Sequence, residues 1–547
     1  MAAWLLFLCA LPYGAYAGGP KKEGVCDWTK GKCGTEFNLN NPRLGLATKV
    51  LDEKNLEETV KVFRERQIIL PTFSQLANPH TIPKEIQKAL KDVGPDDKHP
   101  LNLFRIHWYN GPDRKTRVEV PSYLELPKEL TGVDATILIA IGANFPMITA
   151  HKVLAAYGCL APRLAMGQFN PSKHRAIWPS TGNYCRGGVA ISRIMGCRSS
   201  AVLPEGMSRE RFEWLEQWVS DPSDIVRTKG TESNVKEIYD ACNKLEKDKE
   251  NFLFNQFADY GNHVTHYNVT GPALHHVFRD FAAKKAAQGK KVTLRAFSSA
   301  TGSAGTIAAG DYLKDNAGTK TVAVEALECP TMLYNGFGEH NIQGIGDKHV
   351  PLIHNVANTD LVVGVHSETT DAMAILIDTE VGRTYLKERR GLDAELVDKL
   401  PLLGYSAIAN IVGAIKAARF YGYGEDDVLV TVATDGSNLY ESEFDHIKKK
   451  AFGGNFDTVS AGEVFGKVIM GASTSDILEM GEVERRRVFN LGYYTWVEQQ
   501  NITVEEFRDR RDQDFWRQVR SQLSSWDELI QDFNKRTGVK LSSKTTV

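Results

Sequence analysis

The chain has 547 residues, 42% of them hydrophobic and 24% charged, with a formal net charge of −2. That length exceeds one ordinary domain, so two or more packed units are expected. Acids and bases are interspersed with no basic stripe or tail, which argues against nucleic acid as a partner and for a small ligand.

The first residues, MAAWLLFLCALPYGAYAGGP, form an apolar run ending in Ala15-Tyr16-Ala17. The pattern fits a secretory signal (residues 1–17) cut before Gly18, although a basic start is missing. The alternative is a frayed or buried N-terminal segment. A working signal would send the protein to the secretory pathway or outside the cell; otherwise it is cytoplasmic. No later run reaches the ~18–20 apolar residues of a membrane span. Of the eight cysteines, Cys26 and Cys33 lie close enough to pair in an oxidising compartment. The others show no zinc-site spacing, so no metal is expected. Asn268-Val-Thr and Asn501-Ile-Thr match the glycosylation acceptor pattern.

From about 130 to 440, β-branched runs alternate with glycine-containing turns and helical stretches. Examples are ATILIAIG before TAHKVLAAYGCLAPRLA, RAIWPSTGN before YCRGGVAISRIMG, and KVTLRAFSSATGSAGT before IAAGDYLKD. This order predicts an α/β fold with parallel strands, whose ligands gather in the loops after the strands. Residues 226–252 are charged with apolar residues at helical spacing, and read as a solvated surface helix. Beyond Tyr440 the text is helical and aromatic, with a capping box at Thr503 and Glu506. Its Phe, Trp and Leu recurrence predicts packing onto the body or a subunit contact.

Three loops carry candidate chemistry. Lys152 opens a helix directly after an apolar strand. Such a lysine is ordinarily solvated, but burial between apolar flanks would lower its pKa and free the amine for a Schiff base. Pro179–Asn183 (PSTGN) offers two hydroxyls and a glycine before a helix, which suits a carboxylate, or serves merely as an N-cap. Ser298–Thr306 (SSATGSAGT) forms a phosphate cradle, although neither a P-loop nor a dinucleotide fingerprint. IQGIG (342–346) and VATDGSNLY (432–440) follow. An amine, a carboxylate loop and a phosphate loop together meet the needs of pyridoxal phosphate with an amino acid.

In these segments the chain resembles the fold type II pyridoxal-phosphate enzymes, in particular the cysteine synthase and cystathionine β-synthase group. ILIAIGANFPMITAHKV resembles the strand, turn and Schiff-base lysine, and its His-Lys pair resembles tryptophan synthase β. PSTGN, LPEGMSRERF, NQFADYGNHVTHYNVTGPAL, SSATGSAGT, HNIQGIGDKHVP and GYSAIANIVGAIKAA follow in the family's order, from about Ile137 to Tyr440. Lys173, in NPSKHR, mimics the lysine motif but leaves no room for a helix and strand before Asn183; Lys152 does.

The resemblance implies that Lys152 holds pyridoxal 5′-phosphate and then moves the Cα proton. It further implies cofactor contacts from His151, Asn183, Thr301, Gly302, Ser303, Ala304, Gly305, Thr306 and Gly344, and substrate contacts from Ser180, Thr181 and Gly182. Tyr184 replaces the usual threonine and, with Arg186, would alter the substrate pocket. Gly436 stands where a serine usually meets the pyridine nitrogen, with Thr434 or Ser437 as substitutes. The implied fold is a pair of three-layer α/β domains of the tryptophan synthase β type. Residues 18–144 would form an N-terminal extension and the start of the large domain, 145–270 a small mobile domain, 271–445 the large cofactor domain, and 446–547 a helical extension. The implied function is a lyase or β-replacement enzyme acting on serine, O-acetylserine or cysteine through an aminoacrylate, and working as a homodimer. Threonine synthase or serine/threonine ammonia-lyase activity is the alternative, and a catalytically silent binding protein is the rival of another class.

Overall fold

A computed structural model describes residues 37–540. The signal segment and the Cys26–Cys33 pair lie outside the described residues. Among the described residues, eleven strands form two sheets. They are β1 (Tyr123–Leu126), β2 (Thr136–Ile141), β3 (Arg175–Pro179), β4 (Arg198–Pro204), β5 (Ile225–Thr228), β6 (Asn251–Leu253), β7 (Thr293–Ala300), β8 (Lys320–Ala326), β9 (Leu361–Val365), β10 (Asp427–Ala433) and β11 (Ile477–Glu479).

The larger sheet runs β1-β2-β10-β7-β8-β9-β11, parallel except at its two edges, where β1 and β11 pair antiparallel. Its interior strands, such as TILIAI and DVLVTVA, are continuous apolar runs buried on both faces, as helices packed on each side require. The smaller sheet runs β5-β4-β3-β6 and is parallel throughout. The fold is thus α/β, with a helical C-terminal region.

The stretch 226–252 departs from the surface-helix reading. It holds most of β5, the helix Val235–Leu245 and the start of β6. The helix buries Val235, Ile238, Tyr239 and Cys242 on one face, and Ile238 and Cys242 pack with Ile177 and Val202 of the small sheet. The charged residues are only its outer face; IVRT and NFL are short enough to be masked by that polarity.

The helix Lys152–Ala165 is buried along nearly its whole length and packs against Asn183–Met195 and Tyr260–Thr265. Gly158 permits the second contact, since a Cβ there would overlap the Thr265 side chain and lie 2.9 Å from the Gly261 carbonyl oxygen. Arg163 of the same helix pairs with Asp259 at 2.6 Å, both buried.

The C-terminal helices Glu482–Trp496, Val504–Asp509, Gln513–Ser521 and Leu523–Thr537 pack onto the body, and the Thr503–Glu506 capping box is formed. Trp526 donates its indole N–H to the Ala47 carbonyl at 2.8 Å, and Trp496 donates to Val350 at 2.8 Å. Among the described residues no single helix is long and apolar enough to cross a membrane. Cys159, Cys185, Cys197, Cys242 and Cys329 are buried free thiols.

Candidate active site

The strand β2 runs into the loop Gly142–His151, which delivers Lys152 to the ends of the parallel strands. Two residues of that loop, Met147 (φ +65°) and Thr149 (φ +49°), occupy the left-handed region, a strain of the kind that collects at functional sites. Lys152 is enclosed, and burial lowers its amine pKa to about 8. Its Nζ donates to the Ser303 hydroxyl at 3.2 Å.

Two cavities meet at this amine. One, with about 330 Å3 of empty space, is bordered by the loop after β7 (Gly302, Ala304, Gly305, Thr306), by Ser406 and Asn410, and by Thr434 after β10. The other, with about 380 Å3, is bordered by Ser180, Thr181, Asn183 and Tyr184, by Gln256 and Phe257, and by Ser303. Lys152, Gly302, Gly344 and Ile345 belong to both.

The loop Thr301–Thr306 is braced from several sides. The Thr301 amide donates to Val324 and its carbonyl accepts from Gly346, both at 2.8 Å. Ala304 is left-handed (φ +61°), and Asn262 lies so close to Gly305 that a Cβ there would overlap its amide. Asn262 also donates to the Ser303 hydroxyl at 3.2 Å. Thr301, bonded back to the sheet, is not on the lining of either cavity around Lys152.

Two other expected cofactor contacts are placed differently. The His151 ring is buried in the wall, hydrogen-bonded to Thr306 Oγ1 at 2.9 Å and packed 5.3 Å from Trp108. Burial holds its pKa down to about 3, so it is a neutral brace behind the loop. Ser437 donates to Asp378 at 2.7 Å, outside the lining, whereas Thr434 borders the first cavity. Arg186 also leaves the substrate side: it donates to Asn183 Oδ1 (3.0 Å) and the Ile148 carbonyl (3.1 Å) and lies 4.9 Å over Trp214.

Behind the PSTGN loop lies a polar layer that the sequence reading did not assign. Asn183 donates to Asp435 Oδ2 at 2.6 Å, which leaves one amide hydrogen for the cavity. Tyr440 donates to the same oxygen at 2.9 Å. Arg211 bonds Gln343 and, at 2.9 Å, the Tyr440 hydroxyl; a Cβ at Gly182 would stand 2.6 Å from its Cδ. The Gly344 amide donates to Glu232 Oε1 at 2.6 Å. Arg211 sits inside the LPEGMSRERF segment and Asp435 beside Gly436, so both were adjacent to recognised motifs. Glu232, in a charged stretch, carried no such signal.

The pocket chemistry suits pyridoxal phosphate: a desolvated amine, a glycine and hydroxyl loop, and a second hydroxyl loop across the same lysine. Residues 143–386 match the family described as pyridoxal-phosphate dependent enzyme. Cysteine synthase B of Campylobacter jejuni is 27% identical over 263 residues, which are 47% of this chain and 75% of that protein. Cystathionine beta-synthase of Saccharomyces cerevisiae is 25% identical over 295 residues, 51% of this chain and 52% of that protein. This chain therefore spans only about half of the yeast relative. A solved structure of O-acetyl serine sulfhydrylase isoform 3 from Entamoeba histolytica aligns with a TM-score of 0.49 and 21% identity, over 64% of this chain and 93% of that one. Over residues 143–386 the chain thus matches the pyridoxal-phosphate dependent enzyme family, and the cofactor that goes with that match is pyridoxal 5′-phosphate.

Proposed function

We propose that the protein is a lyase or β-replacement enzyme for a small amino acid with a leaving group on Cβ, of the serine, O-acetylserine or cysteine type. The single observation that carries this reading is the position of Lys152, a part-buried, desolvated amine between two hydroxyl-rich loops. When bound, pyridoxal phosphate supplies the electron sink that makes a Cα proton removable. Lys152 holds the cofactor and then accepts the Cα proton; an amine with pKa near 8 is partly unprotonated at neutral pH and suited to both roles. The backbone and hydroxyls of residues 302–306 would hold the phosphate, Gly344 would border the ring, and Thr434 would offer a hydroxyl to its nitrogen. Ser180, Thr181 and Gly182 take the substrate carboxylate, with Asn183 and Tyr184 beside them.

Borohydride reduction of the holoenzyme followed by peptide mapping tests the assignment, with a label on Lys152 expected and a label elsewhere sinking it. Assaying serine, O-acetylserine, cysteine and threonine for sulfide, ammonia and keto acid separates elimination from replacement. Two further proposals come from the sequence: cleavage before Gly18, tested by N-terminal sequencing, and a homodimer, tested by sedimentation.

A further inference from the structure

Ser303 belongs to the phosphate loop by sequence, yet it stands on the other side of the amine from its neighbours. Ala304, Gly305 and Thr306 border the first cavity at Lys152, whereas Ser303 borders the second, with Ser180, Thr181 and Asn183 of the carboxylate loop. Three donors converge on its hydroxyl oxygen: Lys152 Nζ and Asn262 Nδ2, each at 3.2 Å, and the Gly305 amide at 3.4 Å. Ser303 and Asn262 are both buried. The other Asn262 amide hydrogen goes to the Gln256 carbonyl at 3.0 Å, and a carbonyl can only accept, so the orientation of that amide is set. Ser303 is thus held with an acceptor turned to the amine.

Among the described residues no carboxylate pairs with Nζ, and Ser303 is its hydrogen-bond partner. An ammonium formed in so enclosed a place needs an acceptor for its N–H groups.

Resting on the function proposed above, we propose that Ser303, braced by Asn262, is the positioning residue of Lys152. It anchors one N–H of the amine, leaves the lone pair free for the Cα proton, and stays as acceptor to the ammonium once that proton has moved. In the transfer the Cα–H bond breaks, its electron pair stays with the substrate, and the proton joins the Nζ lone pair. The hydroxyl itself neither gains nor loses a proton. Because Ser303 already accepts from Nζ, no side chain has to turn as the charge develops, which is what preorganisation requires. The Ser303 hydrogen remains available to the phosphate, so the two duties fall on different atoms of one hydroxyl.

The test uses the full chain as wild type, Ser303→Ala, Ser303→Thr and Asn262→Ala. L-Alanine has no leaving group on Cβ, so with pyridoxal-phosphate-loaded protein in heavy water it reports only exchange of its Cα proton, read by NMR. At saturating cofactor and alanine, Ser303→Ala is expected to exchange about 10–100-fold more slowly than wild type, as a misdirected base does, with little change in the alanine concentration at half-maximal rate. Thr keeps the hydroxyl and is expected to recover most of the loss. Asn262→Ala is expected to fall between; if it fails to fold, the Ser303 pair decides alone. A second readout needs no amino acid. Losing an acceptor disfavours the ammonium, so the pH midpoint of adduct formation between cofactor-free protein and pyridoxal phosphate is expected to move down in Ser303→Ala. A Ser303→Ala protein that exchanges at the wild-type rate once cofactor is saturating, as loss of a phosphate contact alone would allow, overturns the proposal, as does an unmoved midpoint. Wild type that forms the Lys152 adduct but exchanges no Cα proton of alanine or serine removes the functional reading instead, and the midpoint still reports on Ser303.

Discussion

At Lys152 the chemistry is set by desolvation. Moving an ammonium out of water disfavours its charged form, and here that lowers the amine from 10.5 to about 8. Attack on the aldehyde of pyridoxal phosphate requires the neutral amine. The rate of adduct formation in cofactor-free protein is therefore expected to climb with pH and level off above about 8; stopped-flow absorbance reads this, and a rise that continues to pH 10 would mean a solvated lysine. Lys152→Ala is expected to leave no reducible adduct and to lower turnover by about 10²–10⁴-fold, the usual contribution of a positioned base. Mass spectrometry after borohydride and steady-state assays check both parts. The same scale shows where sequence reading stops. Lys152, Ser180–Asn183 and Gly302–Thr306 were legible because glycine and hydroxyl clusters stand out after apolar strands. Arg211, Glu232 and Asp435 were not, because a charged residue in a polar stretch looks solvated until the fold buries it beside its partners.

Between residues and the molecule stand the helices that hold the amine in place. Helix Lys152–Ala165 cannot shift without moving its lysine, and it is fixed at its far end by the Arg163–Asp259 pair. Asp259 also caps the helix Tyr260–Thr265 by accepting the Gly261 amide at 2.9 Å. Asp259→Ala would leave a buried guanidinium without its counter-charge, and is expected to cost about 3–5 kcal/mol. Gly158→Ala drives a methyl into Thr265 at the same contact, with an expected cost of about 1–3 kcal/mol. Urea denaturation measures both, and a midpoint unchanged in either variant would show that the helix pair is not packed as described. The strand and helix pattern of this region could be read from the sequence because buried parallel strands are uniformly apolar. The β5-to-β6 stretch could not. Its strands are three and four residues long, lie at the edges of the small sheet and carry polar residues, so periodicity registered only the helix between them.

For the whole molecule the question is what the C-terminal helices add. An aromatic recurrence at helical spacing says that a face is buried, but not against what. Here the cover is the N-terminal part of the chain and the loop 347–355. Asp527 accepts the Phe73 amide at 2.6 Å and the Ser74 amide at 3.0 Å, beside the Thr72 capping box of the helix Phe73–Ala77. Arg510 donates to the Leu352 carbonyl at 2.7 Å, and Arg520 pairs with the buried Asp311. Trp496, Trp516 and Trp526 are buried in the same core as Leu154, Ala155 and Ala156 of the Lys152 helix. Removing residues 482–547 would thus expose one wall of the core that holds the reactive amine. Such a truncation is expected to give aggregating protein, or soluble protein that forms no cofactor adduct. Gel filtration and absorbance of the purified truncation decide this. A monodisperse product that still forms the Lys152 adduct would make the extension a separable module rather than part of the catalytic body.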